Sequence, residues 1–316
     1  MDRSTSRVID LLKHLWRADR PLTATGLLML VALVASVIGL AIDPRAITGA
    51  PAWLKPSKFA ASIAIYTLTL AWVFTYLPGW RKTRRLVGWA TAGLLVLELA
   101  IIDLQAARGT TSHFNVGTPL DAVLWVTMGL AIVAQTLTSL AVAVALWRQP
   151  FVDRALGWAL RLGLAITILG ASTGGLMTQP TAAQLAQARA TDRLPVSGAH
   201  TVGAPDGGPG MPGTNWTLEH GDIRVPHFIG LHGLQALPLI TLAFRRRPET
   251  TRVRLTIAAA ASYGSLFGLL LWQALRGQAL LQPDAATIAA FTAWAVLMIA
   301  TVWLASVRGH LSAHAV

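Results

Sequence analysis

Eight apolar stretches, residues 22–42, 59–77, 87–107, 122–147, 155–177, 228–244, 255–275 and 285–307, each run for about the 20 residues that a helix needs to cross a roughly 30 Å hydrocarbon core. In lipid every backbone N–H and C=O must find its partner within the protein, so such stretches have little choice but to be helices. The expected fold is therefore all-α: a polytopic membrane helix bundle of about eight transmembrane helices. The stretch at 228–244 is the shortest of the eight.

Composition agrees, since 54% of residues are hydrophobic, only 13% are charged and the mean hydropathy is +0.55, too apolar for a water-soluble domain of 316 residues. The formal net charge of +12 would suit a nucleic-acid partner if the basic residues formed one patch. They fall instead in short clusters between the apolar runs, the pattern that orients membrane proteins, and no nucleic acid is expected. With the N-terminus inside, 18 Lys and Arg lie on the cytoplasmic side and eight on the other. That asymmetry predicts an N-in, C-in protein, with a long exoplasmic loop over 178–226 between helices 5 and 6. Residues 182–190 read as a short helix within it. Two parts are expected: a cytoplasmic amphipathic helix over 1–20, from Val8, Leu11, Leu12, Leu15 and Trp16 at helical spacing, and a single transmembrane domain over 21–316. No cleavable signal is evident, because the first twenty residues are highly charged and the first apolar run is long enough to remain as an anchor.

The chain has no cysteine, so thiolate metal sites, cysteine-held iron–sulfur clusters and thiol catalysis are ruled out. Histidine, carboxylate, methionine and backbone oxygen remain as ligands. The predicted topology sorts the eight histidines: His14, His310 and His314 fall inside, while His113, His200, His220, His227 and His232 collect at the exoplasmic side. A metal set of His113, His220, His227, His232 and Asp222 follows as an expectation, suited to zinc, copper or haem b, with Arg224, Gln235 and Gln105 as cofactor-binding neighbours. On a regular helix His227 and His232 would point about 140° apart and His232 would lie about 7.5 Å deeper, so one is expected to ligate while the other orients or gates. The deeper ring, His232, is the one that most needs a partner.

The third stretch holds carboxylates within an apolar run, Glu98 and Asp103. Thr91, Glu98 and Gln105 recur every seven residues, so they share one face that must turn into the bundle. Lys58, on the second stretch, is the expected partner of Asp103. These three, Glu98, Asp103 and Lys58, are candidate catalytic or proton-carrying groups. The run GAPDGGPGMPG lacks a Walker lysine and reads as a turn or lid. Gly170 and Gly174 form a G-x-x-x-G, the signature of a close helix contact.

The segments PAWLKPSKFAASIAIYTLTLAW, IDLQAARGTTSHFN and HGDIRVPHFIGLHGLQALP resemble those of multi-pass bacterial inner-membrane proteins that carry no assigned activity. The eight-span plan is similar in architecture to haem A synthase. That family places paired histidines in helices of both halves and a Glu-x-x-His-Arg motif, whereas this sequence has no histidine in spans 1, 2, 4, 5, 7 or 8, so no residue role carries over.

Two function classes follow. In the first, the exoplasmic histidines hold a metal or haem for redox or hydrolytic chemistry on a quinone or lipid substrate drawn from the bilayer. In the second, Glu98, Asp103 and Lys58 line the path of a proton- or ion-coupled transporter. A non-catalytic assembly or sensory partner is a third class.

Overall fold

The structure, a computed structural model, describes the backbone of residues 3–311 and the side chains of residues 5–305. His314 and the side chains of Arg308 and His310 lie outside the described residues. Among the described residues the chain is mostly helical, and seven helices are long and apolar enough to span a membrane. A bent pair, Arg224–Leu231 with Gly233–Ala243, makes an eighth span if counted as one. The chain divides into two compact units, Met1–Ala145 with Pro180–Gly198, and Leu146–Gln179 with Ala199–Val316.

In the first unit, α1 (Arg3–Ala18) is amphipathic and buries Leu15, leaving Val8, Leu11 and Trp16 exposed. It is followed by α2 (Arg20–Ile42), whose first turn is capped by Asp19 accepting from the Leu22 N–H at 3.0 Å. A two-residue hairpin, β1 (Ala46–Ile47) with β2 (Ala50–Pro51), leads to α3 (Leu54–Phe74). Arg45 forks onto Asp43, donates to the Ala107 carbonyl, and so ties this hairpin to the end of α4 (Arg81–Ala107). The core of the unit is Met29, Ala60, Ile63, Ala64, Leu95 and Leu99, one apolar stripe from each of α2, α3 and α4. Gly26 permits the close approach, because a Cβ there would stand 2.6 Å from Leu68. The fourth long helix, α5 (Pro119–Arg148), adds Met128 against Ile101 and Ile102. The short helix read from the loop sequence is α8 (Ala182–Thr191), started by a Thr181/Gln184 capping box.

The second unit contains α6 (Arg154–Ser172), the one-turn α7 (Gly174–Met177), the paired strands β3 (Thr201–Val202) and β4 (Gly221–Asp222), the bent pair α9 (Arg224–Leu231) and α10 (Gly233–Ala243), then α11 (Glu249–Leu275) and α12 (Ala285–Leu311). Asp153 caps α6 and also pairs with Arg252 at 2.7 Å. Here backbone lies on backbone. A Cβ on Gly170 would sit 2.5 Å from the Gly230 carbonyl carbon, and one on Gly163 would sit 2.7 Å from the Gly233 oxygen. The close contact thus uses Gly163 and Gly170, seven residues apart, whereas Gly174 meets only the His227 ring at 3.6 Å.

The sixth span is not the regular helix expected from its composition. It bends by 54° at His232, which ends α9 and begins α10. The break leaves the Leu231 carbonyl and the Leu234 N–H without their helical partners, and the Thr167 hydroxyl serves both, at 3.2 and 3.0 Å. Neighbouring hydroxyls commonly repair broken membrane helices in this way.

Candidate functional site

In the first unit the site is built from α4 upward. Thr91, Glu98 and Gln105 are all buried, as one inward-facing stripe requires, with Glu98 only 2% exposed. Beyond α4 the chain turns at Gly109, in the left-handed region at φ 74°, where it terminates the helix through a Thr110 N–H bond to the Gln105 carbonyl. The loop then brings His113 back over Glu98, its Nε2 3.8 Å from Oε1. That separation is within ion-pair range and longer than a direct hydrogen bond. Among the described residues the second oxygen of Glu98 has no hydrogen-bond partner, nor does the Thr91 hydroxyl two turns away. The charge of Lys55, at the start of α3, also acts on Glu98.

His113 is held from several directions. Ser112 Oγ lies 3.1 Å from Nδ1, and Phe59, Phe114 and Trp125 present ring edges or tilted faces at 5.7, 6.1 and 5.3 Å. Phe114 is buried with φ 63°, an uncommon conformation for a bulky residue that the surrounding structure must enforce. Much of that enforcement is visible. Ser197 donates to the Phe114 carbonyl at 2.8 Å, Val116 to the Pro195 carbonyl at 3.0 Å, and Asn115 to Thr110 at 3.0 Å. Below the loop, Asp121 accepts from Gln105 at 2.9 Å, Arg108 at 2.7 Å and Thr118 at 2.7 Å. The Gln105 amide is committed to this network. Asp103 is half-buried with Oδ1 unpartnered, and Lys58 lies half-buried near the start of α3.

In the second unit His227 is anchored by α6. Thr173 donates its hydroxyl to the Gly170 carbonyl at 2.7 Å, so the contacts of His227 Nδ1 with that carbonyl at 2.8 Å and with Thr173 Oγ1 at 3.1 Å are best satisfied by a proton on Nδ1. This tautomer leaves Nε2 with the lone pair. His232, at the break, packs against Phe228 with ring centroids 4.4 Å apart and lies within reach of Gln235. Gln235 Oε1 is buried and unpartnered.

His200 was passed over as a ligand, yet its Nδ1 lies 2.6 Å from Asp206, which also accepts from the His200 and Thr201 backbone N–H groups. Burial would raise the Asp206 carboxyl pKa, but the His200 ring and these N–H donors hold it well below the usual carboxylate range. The sequence signal was the Pro205-Asp206-Gly207 turn, which sets an acidic side chain to fold back on preceding backbone. The charge of His200 acts on His227. Lys55 lies one turn nearer the start of α3 than Lys58.

Of the expected metal set, His113 belongs to the first unit, and His220, His227, His232 and Asp222 belong to the second. Asp222 is spent on a loop clamp, accepting from Thr217 N–H and from the Arg224 guanidinium, which also reaches the Asn215 carbonyl. His220 is half-buried, its backbone N–H donating to Thr217. Among the described residues no three His, Asp or Glu side chains come together to hold a metal ion. No family model, curated protein or solved structure matches the chain.

Proposed function

We propose that this multi-pass membrane protein carries protons as part of a proton- or ion-coupled transport cycle, with Glu98 as the proton acceptor and His113 as its gate. The observation that carries this reading is a carboxylate 2% exposed on a membrane-spanning helix, with one oxygen 3.8 Å from an imidazole and the other unpartnered. Intramembrane carboxylates of this kind mark proton and ion paths, because burying the charge is costly unless it is used. In the orientation given by the Lys and Arg distribution, Glu98 lies about 14 Å from the exoplasmic end of α4, at roughly 1.5 Å per residue. His113 then faces the exoplasmic side, and Lys55 biases the charge on Glu98. The broken span in the second unit supports the same reading, since discontinuous helices are a recurring device of transporters.

The test is proton uptake into liposomes of inner-membrane lipid driven by a potassium diffusion potential. Uptake is expected with the wild-type protein and is expected to vanish in Glu98→Gln. Unchanged uptake in that variant would remove Glu98 from the path.

A second reading rests on His227, whose Nδ1 is tied to the Gly170 carbonyl as orienting acceptors tie metal-bound imidazoles. In it Nε2 would offer one ligand to zinc, copper or haem b for chemistry on a quinone or lipid substrate. Metal analysis and an optical spectrum of protein purified without chelators test it. Metal or a Soret band lost in His227→Ala supports this reading; their absence from the wild-type protein counts against it.

A further inference from the structure

The α11–α12 pair flanks an open groove whose lining is apolar apart from Gln273 and Thr292. Leu270, Leu280, Ile288 and Ile299 supply aliphatic surface, and Phe291 and Trp294 supply rings. Gln273 is 2% exposed. Its Nε2 donates to the Ala279 carbonyl at 2.8 Å and to the Leu280 carbonyl at 3.3 Å. Both are acceptors only, so the amide cannot be reversed, and Oε1 is fixed as a buried acceptor with no hydrogen-bond partner among the described residues. The turn above is stapled by Arg276 to Asp284 and Thr287, which keeps the amide in place. An unmet acceptor in a bilayer costs as much as a lost hydrogen bond or more, and apolar lipid tails cannot supply the donor.

We infer that this groove binds an apolar membrane-soluble ring compound bearing a hydroxyl, of the quinol type, with the hydroxyl donating to Gln273 Oε1 and the ring lying against Phe291 and Trp294. Flanking aromatic rings favour a ring over an acyl chain. The site stands apart from the Glu98 reading, since every group it uses belongs to the second unit.

The test is anaerobic equilibrium binding of decylhydroquinone, and of the same compound with both hydroxyls methylated, to the full chain in phosphatidylcholine nanodiscs. We expect one saturable site per chain for the hydroquinone, with the methylated compound about 10-fold or more weaker. Gln273→Leu should reduce the hydroquinone to the affinity of its methylated form, and Ala295→Trp, which fills the groove and leaves Gln273 intact, should abolish binding of both. Equal affinities of the two compounds for the wild-type protein, a comparison that requires no variant, would overturn the proposal. Hydroquinone binding that survives Ala295→Trp, or cross-links between residues 288 and 299 of two copies showing a second chain seated on the groove, would overturn it equally.

Discussion

Thr167 lies 3.2 Å from the carbonyl of Leu231 on the neighbouring helix, and its hydroxyl simultaneously accepts the Leu234 N–H, so one side chain closes both backbone groups opened by the 54° bend. Thr167→Val keeps the shape and removes the bonds. It should destabilise the protein by about 1–3 kcal/mol, the cost of leaving buried backbone groups unmet, while Thr167→Ser should retain most of the stability. Unfolding in mixed micelles, followed by circular dichroism, measures this. A valine variant as stable as wild type would mean that the backbone finds other partners.

Gly170→Ala tests the backbone contact beside it. A methyl group 2.5 Å from the Gly230 carbonyl carbon cannot be accommodated without parting α6 from α9. The expected cost is about 1–3 kcal/mol in the same unfolding measurement. Gly93→Ala, where nothing lies within 4 Å, should cost nothing and favour the helix slightly.

The Asp206 clamp has a defined pH dependence. Its folded carboxyl pKa lies below the ordinary value of 3.8, so its contribution is complete above that value and is lost as pH falls through the depressed one. Amide exchange, corrected for intrinsic pH dependence, should show the Thr201 N–H well protected at neutral pH and progressively less so below about pH 4. Asp206→Ala should reduce protection there by about 10-fold at neutral pH, and equal protection in the variant would remove Asp206 from the clamp.

Replacing His113 separates packing from proton chemistry. His113→Phe preserves an aromatic ring among Phe59, Phe114 and Trp125 and removes both ring nitrogens. Potential-driven proton uptake should slow by about 10-fold or more, in the range that removal of a general acid–base group produces, with thermal stability nearly unchanged. If stability falls and the uptake rate does not, His113 only supports the loop.

The spans and the inward stripe of Thr91, Glu98 and Gln105 were legible in the sequence because both follow from local periodicity. The break at His232 was not. Gly-Leu-His-Gly interrupts neither the apolar run nor its helical period, and what stabilises the break is Thr167, far away in sequence. For the same reason the charge of Lys55 on Glu98 was not legible: depth along a helix can be counted from sequence, but the offset between two helices cannot. For the histidines, sequence gives the side of the membrane but not which side chains meet, and the pairing of Asp222 with Arg224 two residues away was not foreseen.

The segment that straps the His113 loop, Pro195 to Ser197, belongs with the first unit although α6 and α7 precede it in the chain. A ribosome delivers those helices before it delivers the strap. During synthesis, therefore, Glu98 would already be in the membrane with its covering loop unfastened, and the loop could be fastened only after the second unit had begun to form. Truncated chains released before Pro195 should leave the His113 loop open to protease, and chains released after Ser197 should protect it.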